Sequence, residues 1–157
     1  AVDSNENTVK KYLGILDDCY ILSDITNFAL SQKATKRNTH KIYSVDNGMT
    51  NAVSYRFFDN KGGLFENFVF TELQKQNPEE ITFSNNSGEC DFIVKKNFDY
   101  QAIQVCFELT PENSQREFAG FGNMEKEIEL SKRTIITYNQ EQRAGNIEVT
   151  PVWKYFF

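Results

Sequence analysis

Residues 85–109, NNSGECDFIVKKNFDYQAIQVCFEL, constrain the fold more than any other stretch of the chain. Two apolar runs of strand length, 92–94 and 102–109, flank the polar turn Lys96-Asn97-Phe98-Asp99. Asn and Asp tolerate left-handed backbone conformations, so this junction reads as a β-hairpin. Alternation along the first strand puts Glu89 and Asp91 on one face, and the same rule groups Gln104, Cys106 and Glu108 on the second. Carboxylates aimed from one strand toward a polar triplet on its neighbour can gather a magnesium ion for phosphodiester chemistry. An ordinary polar sheet rim carries the same pattern.

The helix expected over residues 64–76 adds a third acid. At about 100° per residue, Phe65, Phe68, Val69, Phe70 and Leu73 spread around a wide apolar arc, and Asn67, Thr71 and Gln74 make the polar one. Glu66 falls between Leu73 and Phe70, and Glu72 between Phe68 and Phe65. A carboxylate on an apolar face demands a partner, because burying an unpaired charge forces protonation or pairing. For Glu72 a snorkelling rim position suffices, whereas Glu66 reads as part of a site.

The remaining segments build outward from that unit. An amphipathic helix over 8–19 carries Val9, Tyr12, Leu13, Leu16 and Cys19 at helical spacing. Residues 20–30 offer two short strands around Ser23-Asp24, followed by a stretch in which Lys33, Lys36, Arg37 and Lys41 occur without an acid. Helix, strands and basic loop together read as part of a winged-helix module, with those four cations as phosphate contacts; a solvated loop is the plain alternative. Residues 41–45 form a strand and 49–55 a short helix after the Asp46-Asn47-Gly48 turn. A strand at 81–83 precedes the hairpin. After it come a helix over 114–130 with Phe118, Phe121, Met124 and Ile128 buried, a strand at 134–138, a loop at 139–145, and a strand at 147–153 whose Pro151 suggests an edge. Gly120 and Gly122 weaken the first half of that helix on propensity.

Composition limits the function classes. The 157 residues carry a formal net charge of -5, which argues against a broad nucleic-acid-coating surface. Three cysteines, Cys19, Cys90 and Cys106, in no framework spacing point to a reducing, cytoplasmic setting, with Cys90 and Cys106 as buried small hydrophobes. No apolar run approaches membrane-spanning length and no signal peptide is legible. The lone His40 reads as exposed, and no P-loop signature occurs. The initial Ala suggests a fragment of something longer.

Three segments, KIYSVDNG (41–48), GGLFENFVFTEL (62–73) and GECDFIV with AIQVCFEL (88–109), together with the closing VTPVWKYFF, resemble the C-terminal nuclease-like domain of a bacterial and archaeal P-loop (AAA-type) ATPase family of unknown function. The resemblance implies a restriction-endonuclease-like, PD-(D/E)xK-type fold: an α/β domain with a mixed central sheet flanked by helices over residues 41–157, after a partial winged-helix-like segment over 1–40. It implies an upstream P-loop ATPase domain in the same protein and DNA as a further partner. By position, the catalytic set of active members maps to Glu66, Asp91, Gln104 and Cys106, with Glu66 and Asp91 as ligands for Mg²⁺. Gln104 carries no charge and Cys106 stands where a lysine would steady the attacking water. Glu108, on the side of Gln104, and Lys95, four residues beyond Asp91 and on its strand face by alternation, are the residues that could take over those lost roles. The expectation is a degenerate, non-catalytic module recognising a nucleic-acid or protein partner. An active Mg²⁺-dependent endonuclease with relocated residues, or a protein-interaction domain without a nucleic-acid role, are the alternatives.

Overall fold

The structure is a computed structural model and describes residues 5–29, 39–53, 60–85, 89–126 and 128–157. Helix α1 (Glu6–Asp18) leads into β1 (Leu22–Thr26), which pairs antiparallel with β2 (His40–Ser44) in a small two-stranded sheet. Helices α2 (Asn47–Val53) and α3 (Lys61–Lys75) follow, then β3 (Glu80–Ser84), β4 (Cys90–Lys96) and β5 (Asp99–Cys106). Helix α4 (Pro111–Met124), β6 (Leu130–Thr137), β7 (Gln142–Ala144), β8 (Ile147–Pro151) and the short α5 (Val152–Phe156) complete the chain.

The second sheet has six strands in the order β3-β4-β5-β6-β8-β7. Strands β3, β4 and β5 are antiparallel, β5, β6 and β8 are parallel, and β7 returns antiparallel along β8. This is a mixed α/β architecture with a central sheet flanked by helices. One face carries Phe92, Ile103 and Ile136 against Phe65, Val69, Phe70 and Leu73 of α3, with Ile25 and Tyr43 of the small sheet joining the same core. The other carries Cys90, Ile93, Ala102, Cys106 and Ile135 against Phe121 and Met124 of α4. Cys90 and Cys106 therefore sit in the core, as free thiols. Among the described residues no helix is long and apolar enough to cross a membrane.

The central hairpin forms where the sequence placed it. Lys96 pairs with Asp99, and both intervening residues have positive φ, Asn97 at 52° and Phe98 at 67°. Two consecutive left-handed residues match the twist of a two-residue hairpin, which favours Asn followed by Gly. Phe98 is 85% exposed, so its ring contributes little packing to offset the conformation. Phe98→Gly is expected to raise stability by about 0.5–1 kcal/mol in urea unfolding, through backbone relief alone; an unchanged midpoint would show that the turn carries no strain.

Several local expectations differ from the structure. Ser23-Asp24 does not split a pair of strands but lies inside β1, whose partner is β2. Asp24 lies on the outer side of the ladder, where it meets His40 Nδ1 at 2.7 Å, whereas Ser23 lies on the opposite side with Ile25, where its Oγ accepts from Gln74 Nε2 of α3. The loop at 139–145 contains β7, which covers the outer side of β8 only from Ile147 to Val149; Pro151 ends β8 beyond that pairing, beside Thr137 of β6, and so lies at an open edge as expected. Asn67, assigned to a polar arc, is buried. Its amide accepts from Ser44 N at 2.8 Å and donates to Ser44 O at 2.8 Å, substituting for a strand partner and tying the end of β2 to α3. On α1, Leu13 and Leu16 are half-buried while Val9, Tyr12 and Ile15 stay exposed.

Candidate functional site

A bulge in β4 sets the position of Asp91. Thr82 pairs with Ile93 and Ser84 with Cys90, so two steps along β3 match three along β4. The extra residue breaks simple alternation. Phe92 and Val94 face α3, Ile93 and Cys90 face α4, and the Asp91 carboxylate is carried toward the α3 side. Backbone pairing of β4 with β5 runs no further than Phe92 with Ile103, and side chains finish the ladder. Asp91 Oδ2 accepts from Val105 N at 3.0 Å, and Asp91 N donates to Gln104 Oε1 at 3.2 Å.

Glu66 and Asp91 do converge, and the point of convergence is held by an ammonium group. Lys41 Nζ, delivered by β2, donates to Glu66 Oε1 at 3.1 Å and to Asp91 Oδ1 at 3.0 Å. It lies 5.5 Å from the centroid of the Phe83 ring, with Glu89 at the mouth 3.9 Å away. Tyr43, two residues on and therefore on the same strand face, donates its hydroxyl to Glu66 Oε1 at 2.7 Å while its ring stacks on Phe70. The Asn67 clamp fixes the register of β2 that delivers both groups. Glu89 and Asp91 thus share the Lys41 side, as expected, although a bulge rather than an alternating strand puts Asp91 there.

The other nominated residues lie elsewhere. Gln104 and Cys106 alternate with Ile103 and Val105 and turn to the α4 face. Gln104 Nε2 donates to Glu117 Oε2 at 2.8 Å, and Cys106 Sγ lies 3.1 Å from the carbonyl of Glu108. Glu108 is exposed beyond the end of β5, outside the Lys41 cluster. Lys95 was expected on the face of Asp91; the bulge reverses that relation. It lies beside Glu79 and over the ring of Tyr100, which packs with the α4-side core. Lys33, Lys36 and Arg37 lie outside the described residues. Lys41, grouped with them as a phosphate contact, is drawn inward to the acids. Glu117, 2% exposed, was not nominated from the sequence. It occupies the stripe of Phe121 and Met124 at i, i+4 and i+7, and a carboxylate on that stripe was the available signal.

The electrostatics follow from two acids sharing one cation. Burial pushes the Asp91 carboxyl up, Glu66 adds to this, and Lys41 offsets only part, leaving it at about 6 against an ordinary 3.8. Burial alone would lower the Lys41 ammonium, but Asp91 and Glu66 outweigh it and hold the group above its usual value. The Tyr43 hydroxyl is raised by burial and by Glu66, so it stays protonated and serves as a donor. Between pH 3.8 and 6 the folded chain holds a proton on Asp91 that the unfolded chain has released. That contribution to stability is full below 3.8 and lost as pH rises through 6. Its size is up to about 3 kcal/mol, from the shift at 1.36 kcal/mol per unit. In urea unfolding across this range, Asp91→Asn is expected to flatten that falling component; an identical pH profile would contradict the assignment.

A magnesium centre does not fit this arrangement. Among the described residues no group of three or more His, Cys, Asp or Glu side chains is placed to hold a metal, and the space between Glu66 and Asp91 is taken by the Lys41 ammonium, which offsets one of their two negative charges. The cluster can bind a cationic side chain and fix a strand.

Comparison with known proteins places the chain in a family. A family model described as Domain of unknown function (DUF4143) matches residues 61–155, and one described as Domain of unknown function (DUF8612) matches residues 1–60. The Uncharacterized protein MJ1544 of Methanocaldococcus jannaschii is 31% identical over 161 residues, covering 94% of this chain and 35% of its own length. An Uncharacterized protein of Haemophilus influenzae is 27% identical over 150 residues, covering 94% of this chain and 36% of its own. The chain thus spans about a third of the length of these relatives. No solved structure matches. The Lys41 cluster joins the two matched regions, β2 supplying the cation and the second region both acids. Since the second match covers more than half of the sequence, this chain belongs to the DUF4143 family.

Proposed function

We propose that this chain is a non-catalytic accessory domain of a longer P-loop ATPase, a degenerate PD-(D/E)xK-type module that recognises a nucleic-acid or protein partner. The observation carrying the reading is the Lys41 ammonium, 3.1 Å from Glu66 and 3.0 Å from Asp91, at the point where a catalytic divalent cation would be needed. A phosphodiesterase of this type needs open coordination positions for substrate oxygens and water. A tethered cation supplies the charge without those positions. The family resemblance and the relatives' greater length support the ATPase context. The bulge-delivered acid beside the helix glutamate supports nuclease descent, and the helix with its following two-stranded ladder suits a winged-helix-like segment. Relocated catalysis gains no support, because Glu108 and Lys95 lie outside the cluster.

The test is a cleavage assay on supercoiled plasmid, single-stranded DNA and RNA, with Mg²⁺ or Mn²⁺ in excess. The expected result is no metal-dependent cleavage, and no difference between the wild type and Asp91→Asn. Metal-dependent nicking that Asp91→Asn abolishes would overturn the proposal. A protein-interaction role without nucleic acid is favoured by one observation, the exposed apolar row Val9, Tyr12 and Ile15 on α1. Salt-dependent DNA binding that weakens in a Lys36→Ala, Arg37→Ala variant separates the two, since such binding falls with salt in proportion to phosphate contacts.

A further inference from the structure

Glu117 is an expensive residue without an obvious purpose. It is 2% exposed, yet the arginine that meets its Oε1, Arg116 at 2.5 Å, has a side chain 75% exposed. A surface arginine is a modest counter-ion for a buried acid. The other oxygen, Oε2, accepts from Gln104 Nε2 at 2.8 Å. That amide has two ends of nearly equal size, one accepting and one donating, and its environment decides which way it points. With its own Oε1 held by Arg116, Oε2 is the acceptor that Glu117 presents, and it draws Nε2 toward α4. Gln104 Oε1 is then left toward β4, where it takes the N–H of Asp91 at 3.2 Å. This N–H sits at the bulge, past the last register pair of β4 with β5, and Gln104 Oε1 is the side-chain acceptor it meets there.

The same turn of α4 is held unusually close. A Cβ at Gly120 would come within 2.4 Å of the Glu89 carbonyl oxygen and 3.5 Å of Gln104 Oε1. The glycine lets the helix approach far enough for Glu117 to reach Gln104.

We infer that Glu117 is the positioning residue for Asp91, acting through the Gln104 amide to fix the bulge that turns Asp91 toward Lys41. The inference rests on reading Asp91 as the retained acid of the cluster. The charge absent from position 104 of β5 is present one layer away on α4, where it orients a backbone segment. Chemically, the Glu117–Gln104 pair recognises the protein's own amide.

Backbone amide exchange measured by NMR on the intact chain tests this. Glu117→Leu keeps a comparable volume and leaves the Gln104 amide unheld; Glu117→Gln keeps an acceptor for Nε2. In Glu117→Leu, exchange at Asp91 is expected to accelerate about tenfold or more relative to Ile135 and Ile136, which report on the core. In Glu117→Gln the same ratio should remain within about threefold of wild type, and the Gln104 side-chain NH₂ resonances should move in both variants. Uniform acceleration at all amides would assign Glu117 a merely structural role and overturn the inference. So would unchanged exchange at Asp91 in the leucine variant, or loss of protection in both. If Glu117→Leu does not fold, Glu117→Gln combined with Gln104→Glu provides the second arm: it reverses donor and acceptor and is expected to retain Asp91 protection within about threefold; loss of that protection overturns the inference. None of these outcomes depends on whether the domain cleaves nucleic acid.

Discussion

Lys41→Met is expected to destabilise the fold by about 3–5 kcal/mol and to make its stability responsive to divalent cations, whereas the wild type is expected to be unresponsive. The methionine keeps most of the aliphatic volume beside Phe83 and removes the charge. Glu66 and Asp91 are then left facing each other without a cation, and removing one partner of a largely buried ion pair costs about that much. Asp91 can relieve part of the strain by taking up a proton, since its carboxyl already titrates at about 6. The loss should therefore be smaller at pH 5 than at pH 7.5. Two carboxylates, with Glu89 at the mouth, can hold a hydrated Mn²⁺ or Mg²⁺ through a minority of its coordination positions. A cation bound only by the folded state adds roughly 2 kcal/mol at fifty times its dissociation constant. For a domain of this size that corresponds to a rise in melting temperature of about 4–8 °C. Melting curves of wild type and Lys41→Met, with and without Mn²⁺, decide the matter. A variant as stable as wild type would show that the ammonium is not neutralising the acids.

Gln104→Glu is expected to be strongly destabilising, even though it introduces the acid that the resemblance to nuclease-like domains implies for that position. The new carboxylate would not face Glu66. It would meet Glu117, which now accepts from Nε2 at 2.8 Å, and two buried acids at that distance cannot both ionise. The loss should be about 3 kcal/mol at pH 7.5, easing as the pH falls and one of the pair takes up a proton. Adding Glu117→Gln should recover most of it by reversing donor and acceptor, a coupling that a double-mutant cycle reads directly. Neither variant should gain metal-dependent cleavage. Metal-dependent nuclease activity in Gln104→Glu would mean that position 104 faces the Lys41 cluster after all.

Much of the fold was legible from period and turn chemistry. Asn97-Phe98 and the apolar runs around it specified the hairpin, and Phe65, Val69, Phe70 and Leu73 specified the face of α3. What escaped the sequence depended on departures from a regular period. A one-residue bulge at Asp91 has no local signature, and it reversed the side assigned to Lys95. Asn67 read as solvent-facing because its partners, the backbone of Ser44, are invisible to a helical wheel. Gly120 counted against a helix on propensity, whereas a side chain there would strike the Glu89 carbonyl. For the site, alternation and the wheel pointed to Glu66 and Asp91. Lys41 was misplaced because a lysine after a basic run looks solvated until a distant strand and helix present two acids to it. Glu117 was missed because the surrounding phenylalanines drew the buried stripe without asking why an acid lay on it.

The most direct measurement is a crystal structure of the wild-type chain soaked in Mn²⁺, with anomalous scattering recorded at the manganese edge. The expected map has no anomalous peak between Glu66 and Asp91, and shows the Lys41 ammonium within hydrogen-bond reach of both carboxylates. A manganese peak bridging those two carboxylates, with Lys41 swung away, would contradict the proposal that a tethered cation occupies the position a metal ion would need.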